Sequence, residues 1–231
     1  MHRLSDLARF YVLLDALEEK VHAKRSLMMC SGKMVWPKRG VYFFFETGES
    51  RSDSGSGPRV VRVGTHALRE GSRAKLWTRL SQHQGTITTG GGNHRGSIFR
   101  EIVGTALIRQ EGKNAVPTWG QGSSATSEVR GLEQDHENRV SAVIRAMPFL
   151  WVAVDDEPGR GSLRGFIERN AIGLLSNYAR DAIDAPSPSW LGRFCDRGRV
   201  RGSGLWNQDH VDADYDPRFL DDFDTVITWM K

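Results

Sequence analysis

Hydrophobic residues recur at helical spacing through the first twenty positions of the chain. The repeat predicts an amphipathic helix over residues 1–20. Acidic side chains interrupt its apolar stretch, where a secretory signal peptide would not carry them. The apolar positions are Leu4, Leu7, Phe10, Leu13, Leu14 and Leu17, and the acidic ones are Asp6, Asp15, Glu18 and Glu19. We therefore interpret this segment as part of the folded protein.

Three runs of aromatic and β-branched residues predict β-strands. The first two cover residues 40–46 and 59–63, and a loop of mostly Ser, Gly and charged residues separates them at 47–58. Because a loop rather than a helix joins these two strands, they are most simply an antiparallel pair. The third run covers residues 149–154 and follows Pro148, which ends the preceding helical pattern.

Four further segments have the 3.6-residue periodicity of helices. They cover residues 71–83, 97–109, 132–147 and 162–180. A glycine-rich connector at 85–96 precedes the second of them. This connector lacks the Gly-Lys-Ser/Thr ending of a phosphate-binding loop, so we expect a structural or DNA-facing loop.

The order of these elements predicts an α/β (α+β) fold, in which helices flank a small central sheet of three mainly antiparallel strands. We expect an N-terminal helical extension at 1–36, a core at 37–184 and a C-terminal appendage at 185–231. The appendage spreads Trp, Phe and Leu among Gly, Ser and Asp. That texture favours packing onto the core over a second, independent core.

Charge is divided unevenly along the chain. The formal net charge is +4, but residues 1–208 carry +9 and residues 209–231 carry −5. A basic body with an acidic tail suits a polyanion-binding surface. The same balance also fits an ordinary solvated surface, so charge alone does not separate the two interpretations.

Cysteine usage and hydropathy indicate the cellular compartment of the protein. Cys30 and Cys195 lie far apart and outside any metal-ligand spacing, which favours a reducing compartment without a disulfide framework. No apolar run approaches the roughly 20 residues that a helix needs to span a bilayer. We therefore expect a cytoplasmic protein that does not act on membranes.

Phosphodiester hydrolysis needs a base for the attacking water, positive charge for the transition state and a group that assists the leaving oxygen. Four segments of this chain carry side chains of these kinds. They are Gly40-Val41-Tyr42, Arg62-Val63-Gly64, the helix that carries Arg79, and the late helix that carries Glu168. In this order the set resembles the GIY-YIG nuclease superfamily. The resemblance covers roughly residues 38–180.

The resemblance implies a role for each of three residues. Tyr42 would act as the general base or orient the attacking water, Arg79 would contact the scissile phosphate, and Glu168 would bind Mg²⁺ or Mn²⁺. Each also has a plainer interpretation. Tyr42 would fill the edge of the core, Arg79 would be a solvated helix residue, and Glu168 would be a surface charge.

Two more residues follow from the resemblance. His83 lies one helical turn after Arg79, so both can face the same side. It would touch a phosphate or relay a proton, or else serve as a hydrogen-bonded structural histidine. Asn177 resembles the superfamily's late asparagine and would brace the site, with capping of a helix end as the alternative.

The chain departs from the family pattern at its second motif, where Arg62 replaces the second tyrosine. His66 or Lys75 would then substitute for it, or Arg62 would add a phosphate contact while Tyr42 suffices. Gly40 and Gly64 complete the two motifs as structural or substrate-binding positions.

The resemblance implies a metal-dependent DNA endonuclease that acts on double-stranded or branched DNA. Its role would be either restriction or defence, or structure-specific repair. A homodimer would be compatible with this function. The alternative is a catalytically silent nucleic-acid-binding module. An RNA-processing nuclease is a weaker third reading, because no RNA-recognition motif is present. Residues 197–206 would read DNA through Arg197, Arg199, Arg201 and Trp206, or form a surface loop anchored by Trp206.

Overall fold

The computed structural model describes residues 2–112 and 116–230. Met1, which falls in the first helix predicted from the sequence, lies outside these residues. The helices are α1 (His2–Val21), α2 (Leu76–Gln84), α3 (Ile98–Gln110), α4 (Ser127–Ala146), α5 (Leu163–Leu175), α6 (Gly198–Ser203) and α7 (Phe219–Trp229). The strands are β1 (Arg25–Ser26), β2 (Gly40–Ser50), β3 (Pro58–Gly64) and β4 (Pro148–Ala153).

The strands form one antiparallel sheet in the order β1-β4-β2-β3. The α/β fold class is confirmed, but the sheet has four strands where the sequence predicted three. The extra strand, β1, contributes only Arg25 and Ser26, which pair with Phe149 and Pro148. Two residues are too few to produce a recognisable alternation, so the pattern alone did not reveal this strand.

The predicted loop at 47–58 is wrong in its first part, because β2 continues to Ser50 and pairs with Pro58 of β3. The polar residues of this extension have partners. Glu49 and Arg59 are both buried and form an ion pair of 2.5 Å. A charged pair across two strands therefore replaces the apolar alternation from which a strand is usually predicted.

Three helices differ from their predicted bounds for local reasons. Helix α2 begins at Leu76 rather than at residue 71, because the Leu76 amide donates to the Lys38 carbonyl instead of extending a helix upstream. Helix α4 begins earlier, since the Thr126 side chain caps it. Helix α5 ends at Leu175 rather than at residue 180, where the backbone becomes extended.

The segment after residue 185 packs into the same hydrophobic core as the sheet. Trp206 and Phe223 are fully buried, and Phe223 stacks on Phe10 of α1 with ring centroids 5.7 Å apart. The Trp206 amide also donates to the Val61 carbonyl of β3 at 2.7 Å. The division of the chain at 36 and 184 stays a prediction.

Three arginines of the segment after residue 185 have partners within the chain. Arg197 pairs with Glu101, Arg199 pairs with Asp212, and Arg201 donates to the Cys195 carbonyl. Residues 198–203 form helix α6, so the predicted loop is wrong there. With Trp206 buried, the paired arginines favour an anchored structural segment over direct DNA reading at residues 197–206. Within residues 2–112 and 116–230, no helix combines the length and the apolar character that a membrane span requires.

Candidate active site

Tyr42 lies near the start of β2, the strand between β3 and β4, with Gly64 opposite it on β3. A Cβ on Gly64 would come within 3.0 Å of the Tyr42 phenol, so only glycine lets the ring lie over this backbone. A Cβ on Gly40 would collide in the same way with the Val152 carbonyl of β4. The glycines of both motifs therefore have a packing reason to be there.

The Tyr42 hydroxyl is 2.8 Å from Nε2 of His83, and Nδ1 of His83 is 2.8 Å from the Ser97 hydroxyl. Both His83 and Ser97 are buried. Burial, together with the charges of Arg79, Arg62 and Arg100, holds the pKa of His83 well below its usual value. The imidazole is therefore neutral at physiological pH, with one nitrogen that donates and one that accepts.

The tautomer of His83 decides whether Tyr42 donates to Nε2 or accepts from it. The Ser97 oxygen caps helix α3 by accepting from the Arg100 amide. A protonated Nδ1 would make that oxygen accept once more, which leaves Nε2 free to accept the proton of the Tyr42 hydroxyl. In this arrangement Tyr42 donates to His83 and keeps its oxygen lone pairs for a further partner.

Two arginines lie beside the phenol. Arg62 is buried, with its guanidinium 4.5 Å from the Phe99 ring centroid and a hydrogen bond to the Trp206 carbonyl. Burial lowers its pKa, but arginine keeps its charge in proteins. Arg79 donates to Gln82 at 3.0 Å and to the Gly96 carbonyl at 3.4 Å. Within the described part of the chain, neither forms a salt bridge.

Glu168 projects from α5 towards the end of β3. Its Oε1 accepts from the Thr65 amide at 2.9 Å. Desolvation raises the pKa of this carboxyl from 4.5 to about 7, against the opposing effects of the Thr65 amide and of Arg62 and Arg79. The carboxylate is thus held in an environment that disfavours its charged form unless a cation joins it.

These side chains line one cleft of about 240 Å³. Tyr42, Arg62, Arg79 and Glu168 all border it, and His83 lies behind Tyr42. The three groups predicted to act together therefore face the same space. Their chemical roles stay predictions.

The cleft also has a wall formed by Trp206, Asn207, Gln208, Asp209 and His210, of which the sequence analysis singled out only Trp206. Asn207 fixes this wall to β3, since its side chain accepts from the Val63 amide at 3.1 Å and donates to the Val63 carbonyl at 2.8 Å. Asp209 contributes a second carboxylate, which raises the pKa of Glu168 further. The residues after Trp206 lie in an irregular segment without a period or a motif, so no sequence signal identified them.

Besides His83 and the two motif glycines, three more predicted residues lie outside the lining of the cleft, namely His66, Lys75 and Asn177. His66 is buried beside the Arg164 guanidinium, which donates to its carbonyl, and burial lowers its pKa to about 4. Lys75 is exposed at the start of α2.

Asn177 lies beyond the end of α5, where its side chain accepts from Arg3 and Ile183 and donates to the Ile183 carbonyl. It ties a loop to α1 and does not touch the cleft. The helix-end interpretation is nearer to this arrangement, although the residue fastens the loop after the helix instead of capping the last turn.

The donors around the cleft fit a hard divalent cation. Within residues 2–112 and 116–230, no cluster of three His, Cys, Asp or Glu side chains is built to enclose a metal. Mg²⁺, however, is typically held by one or two carboxylates, with waters and substrate phosphates completing its shell. Glu168 lining an open cleft, with Asp209 on the facing wall, matches that requirement.

Comparison with known families agrees with this geometry. The family model described as the GIY-YIG domain matches residues 1–231, well beyond the 38–180 over which the resemblance was recognised. No curated protein and no solved structure matches the chain. Because the family match extends over the whole length, the chain belongs to the GIY-YIG family, whose members are nucleases.

Proposed function

We propose that this protein is a metal-dependent endonuclease that hydrolyses phosphodiester bonds of DNA in the cleft between β2, α2 and α5. The observation that carries the proposal is the convergence on the same space of the Tyr42 phenol, the Glu168 carboxylate and two arginines that form no salt bridge within the described residues. This is the set of groups that phosphodiester hydrolysis requires.

The charge of the cleft favours an anionic substrate. Arg62 and Arg79 bring two positive charges that no salt bridge among the described residues neutralises. A guanidinium offers planar, paired donors that match phosphate oxygens. Arg79 would contact the scissile phosphate, and Arg62, in place of the family's second tyrosine, would add a second positive charge from the buried side.

Tyr42 would take the proton of the attacking water without first becoming a phenolate. With the His83 proton on Nδ1, the Tyr42 hydroxyl would donate to Nε2, and its oxygen could accept from a water in the cleft. As the water proton moves to the phenol oxygen, the phenol proton can pass to Nε2 of His83. The bound phosphate would stabilise the transient imidazolium in this otherwise cationic environment.

Glu168 would hold Mg²⁺ or Mn²⁺, with Asp209 positioned to bind one of its water ligands. When bound, such an ion stabilises the negative charge that develops on the leaving oxygen. Arg79 would stabilise the charge on the remaining phosphate oxygens, a contribution of roughly 3 kcal/mol for one donor that acts in the transition state.

A catalytically silent nucleic-acid-binding module is the second candidate, favoured by Arg62 standing where the family has a tyrosine. Glu168 argues for the enzyme, because a partly desolvated carboxylate beside bound phosphate would weaken simple binding. Both candidates predict DNA affinity. Only the enzyme predicts cleavage that depends on a divalent cation.

The test is nicking of supercoiled plasmid by the full chain with Mg²⁺ or Mn²⁺, with and without a chelator. We expect cleavage that stops with the chelator and is lost in Glu168→Gln, while that variant still binds a labelled duplex. Binding without cleavage under every metal condition would instead support the silent module.

Two biological roles fit this activity, restriction or defence and structure-specific repair. Cleavage assays on a panel of DNA substrates distinguish them. Cleavage confined to one duplex sequence would indicate restriction or defence, and cleavage of flaps and junctions regardless of sequence would indicate repair. A panel of RNA substrates assayed in parallel tests the hypothesis of an RNA-processing nuclease. Because one cleft cuts one strand, linear product that appears together with nicked product would indicate a homodimer.

A further inference from the structure

A second groove opens directly beside the cleft. Its volume is about 570 Å³, and it runs along the N-terminal half of α5 and the turn before that helix. Leu68, Glu168 and His210 line both the groove and the cleft. The two spaces are therefore adjacent, with Glu168 at the boundary between them.

The groove has the lining that a nucleotide needs. Phe166 lies half-buried at its floor, and the guanidinium of Arg169 is 5.8 Å from the Phe166 ring centroid. Arg160 contributes a second exposed guanidinium from the turn before α5. A planar ring with adjacent cations suits a base and its phosphate, since aromatic and guanidinium faces stack on bases of any sequence.

The two arginines of the groove are not engaged elsewhere. Among the described residues, neither Arg160 nor Arg169 donates a side-chain hydrogen bond or forms a salt bridge, whereas the neighbouring Arg164 is fully buried and paired with Asp156. Two carboxylates also border the groove: Glu168, half-buried at the boundary with the cleft, and the exposed Asp222 of α7. The net charge of the exposed rim therefore remains positive and favours a phosphate.

We propose that this groove binds the nucleotide next to the scissile phosphate, with its base unpaired and stacked on Phe166 and Arg169. The proposal rests on the function proposed above, because a phosphodiester held at Glu168 directs one neighbouring nucleotide into the adjoining space. A volume of about 570 Å³ lies within the range of small-ligand sites.

The proposal also selects a class of substrate. A base that is stacked within a continuous duplex cannot reach a side chain at the floor of a groove without leaving its neighbours, which costs energy. A nucleotide that is already unpaired avoids this cost. The enzyme should therefore prefer DNA with an unpaired nucleotide next to the cut, as in a flap, a bulge or a branch.

The test measures binding in the presence of a chelator, so that no cleavage interferes. Fluorescence anisotropy compares the Kd of the full chain for a perfect duplex and for the same duplex with one unpaired nucleotide. We expect the unpaired substrate to bind about tenfold more tightly, the size expected of one base–aromatic stack. Equal affinity for the two substrates would overturn the proposal.

Variants assign the preference to the groove. Phe166→Leu keeps most of the packing volume but removes the aromatic face, and Arg169→Gln removes the charge at an exposed position. Each should bring the ratio of the two Kd values close to 1, while affinity for the perfect duplex changes less than threefold. Arg109→Gln and Phe194→Ala change exposed residues that do not line the groove and should leave the ratio unchanged.

The outcomes separate the groove from the catalytic proposal. If both groove variants keep the full preference, the groove assignment is wrong even when the protein nicks plasmid normally. If the ratio collapses in both variants but no condition gives cleavage, the nucleotide site stands and the catalytic proposal fails.

Discussion

The phenol oxygen of Tyr42 and Nε2 of His83 lie 2.8 Å apart in the buried interior of the fold. A phenol that keeps its proton is a poor base on its own. Contact with a neutral imidazole changes this, because the phenol can release its proton in the same step in which it accepts one. The pair therefore forms one functional unit.

Tyr42→Phe removes the hydroxyl and should lower kcat by at least about 100-fold, within the range that general-base catalysis contributes. Duplex affinity should stay within about twofold. Single-turnover cleavage and anisotropy measure the two effects. Tyr178→Phe is the matched control, as that tyrosine is partly buried outside the cleft. A fully active Tyr42→Phe would place the base elsewhere.

The rate should rise with pH through about 7. Burial raises the pKa of Glu168 to about 7, and only the ionised carboxylate binds a cation well. Higher Mg²⁺ should move the midpoint to lower pH, because the cation competes with the proton. Single-turnover rates from pH 5.5 to 9 at two Mg²⁺ concentrations test this, and a midpoint independent of Mg²⁺ would contradict it.

Glu168→Gln should stabilise the protein when no metal is present. Because the folded pKa is raised from 4.5 to about 7, proton binding by Glu168 stabilises the fold fully below about pH 4.5. That contribution is lost as the pH rises through 7. The variant should therefore melt roughly 2–5 °C higher at pH 8, with a smaller difference at pH 5. Thermal unfolding without metal measures both, and Mg²⁺ at pH 8 should narrow the gap.

Arg79→Ala should lower kcat by about 100-fold, corresponding to roughly 3 kcal/mol of transition-state stabilisation. Duplex affinity should fall by less than about fivefold. Arg109→Ala is the control, since Arg109 is an exposed helix arginine that does not line the cleft. Equal losses in kcat and affinity for Arg79→Ala would demote the residue to a binding contact.

Gly64→Ala should impair cleavage although it leaves every polar group of the cleft in place. The added methyl group would collide with the Tyr42 phenol, so the ring must move away from His83. We expect at least a tenfold loss of rate and a lower melting temperature. Gly131→Ala introduces the same methyl group on α4 with no atom within 4 Å; it should stabilise the helix by roughly 1 kcal/mol and preserve the rate.

The sequence allowed the part of the cleft formed by β2, α2 and α5 to be predicted more completely than the wall at 206–210. Tyr42, Arg79 and Glu168 lie on a strand and two helices. The order and spacing of these elements can be predicted from the sequence. Asn177 was misplaced because α5 ends two residues before it, where Ser176 becomes extended and the Asn177 amide bonds to the Ser203 carbonyl. A helix period cannot reveal where a distant backbone will interrupt it.

The wall at 206–210 was not predicted because long-range contacts fix its position. Its position depends on the Trp206 amide bonding to Val61 and on Asn207 bonding to Val63. These contacts join residues more than 140 positions apart, and no local pattern encodes them. The strand β1 escaped prediction for the opposite reason, because it is too short to have a pattern at all.

The position of this wall in the sequence has a consequence for biosynthesis. Translation produces Tyr42 and Arg79 well before Trp206, whose carbonyl holds Arg62, and well before the rest of the wall. A nascent polypeptide that still lacks the wall therefore exposes the phenol and the guanidinium in an unfinished, water-filled hollow, where electrostatic stabilisation is weak. The proposed activity would be acquired only once residues 206–210 have docked onto β3.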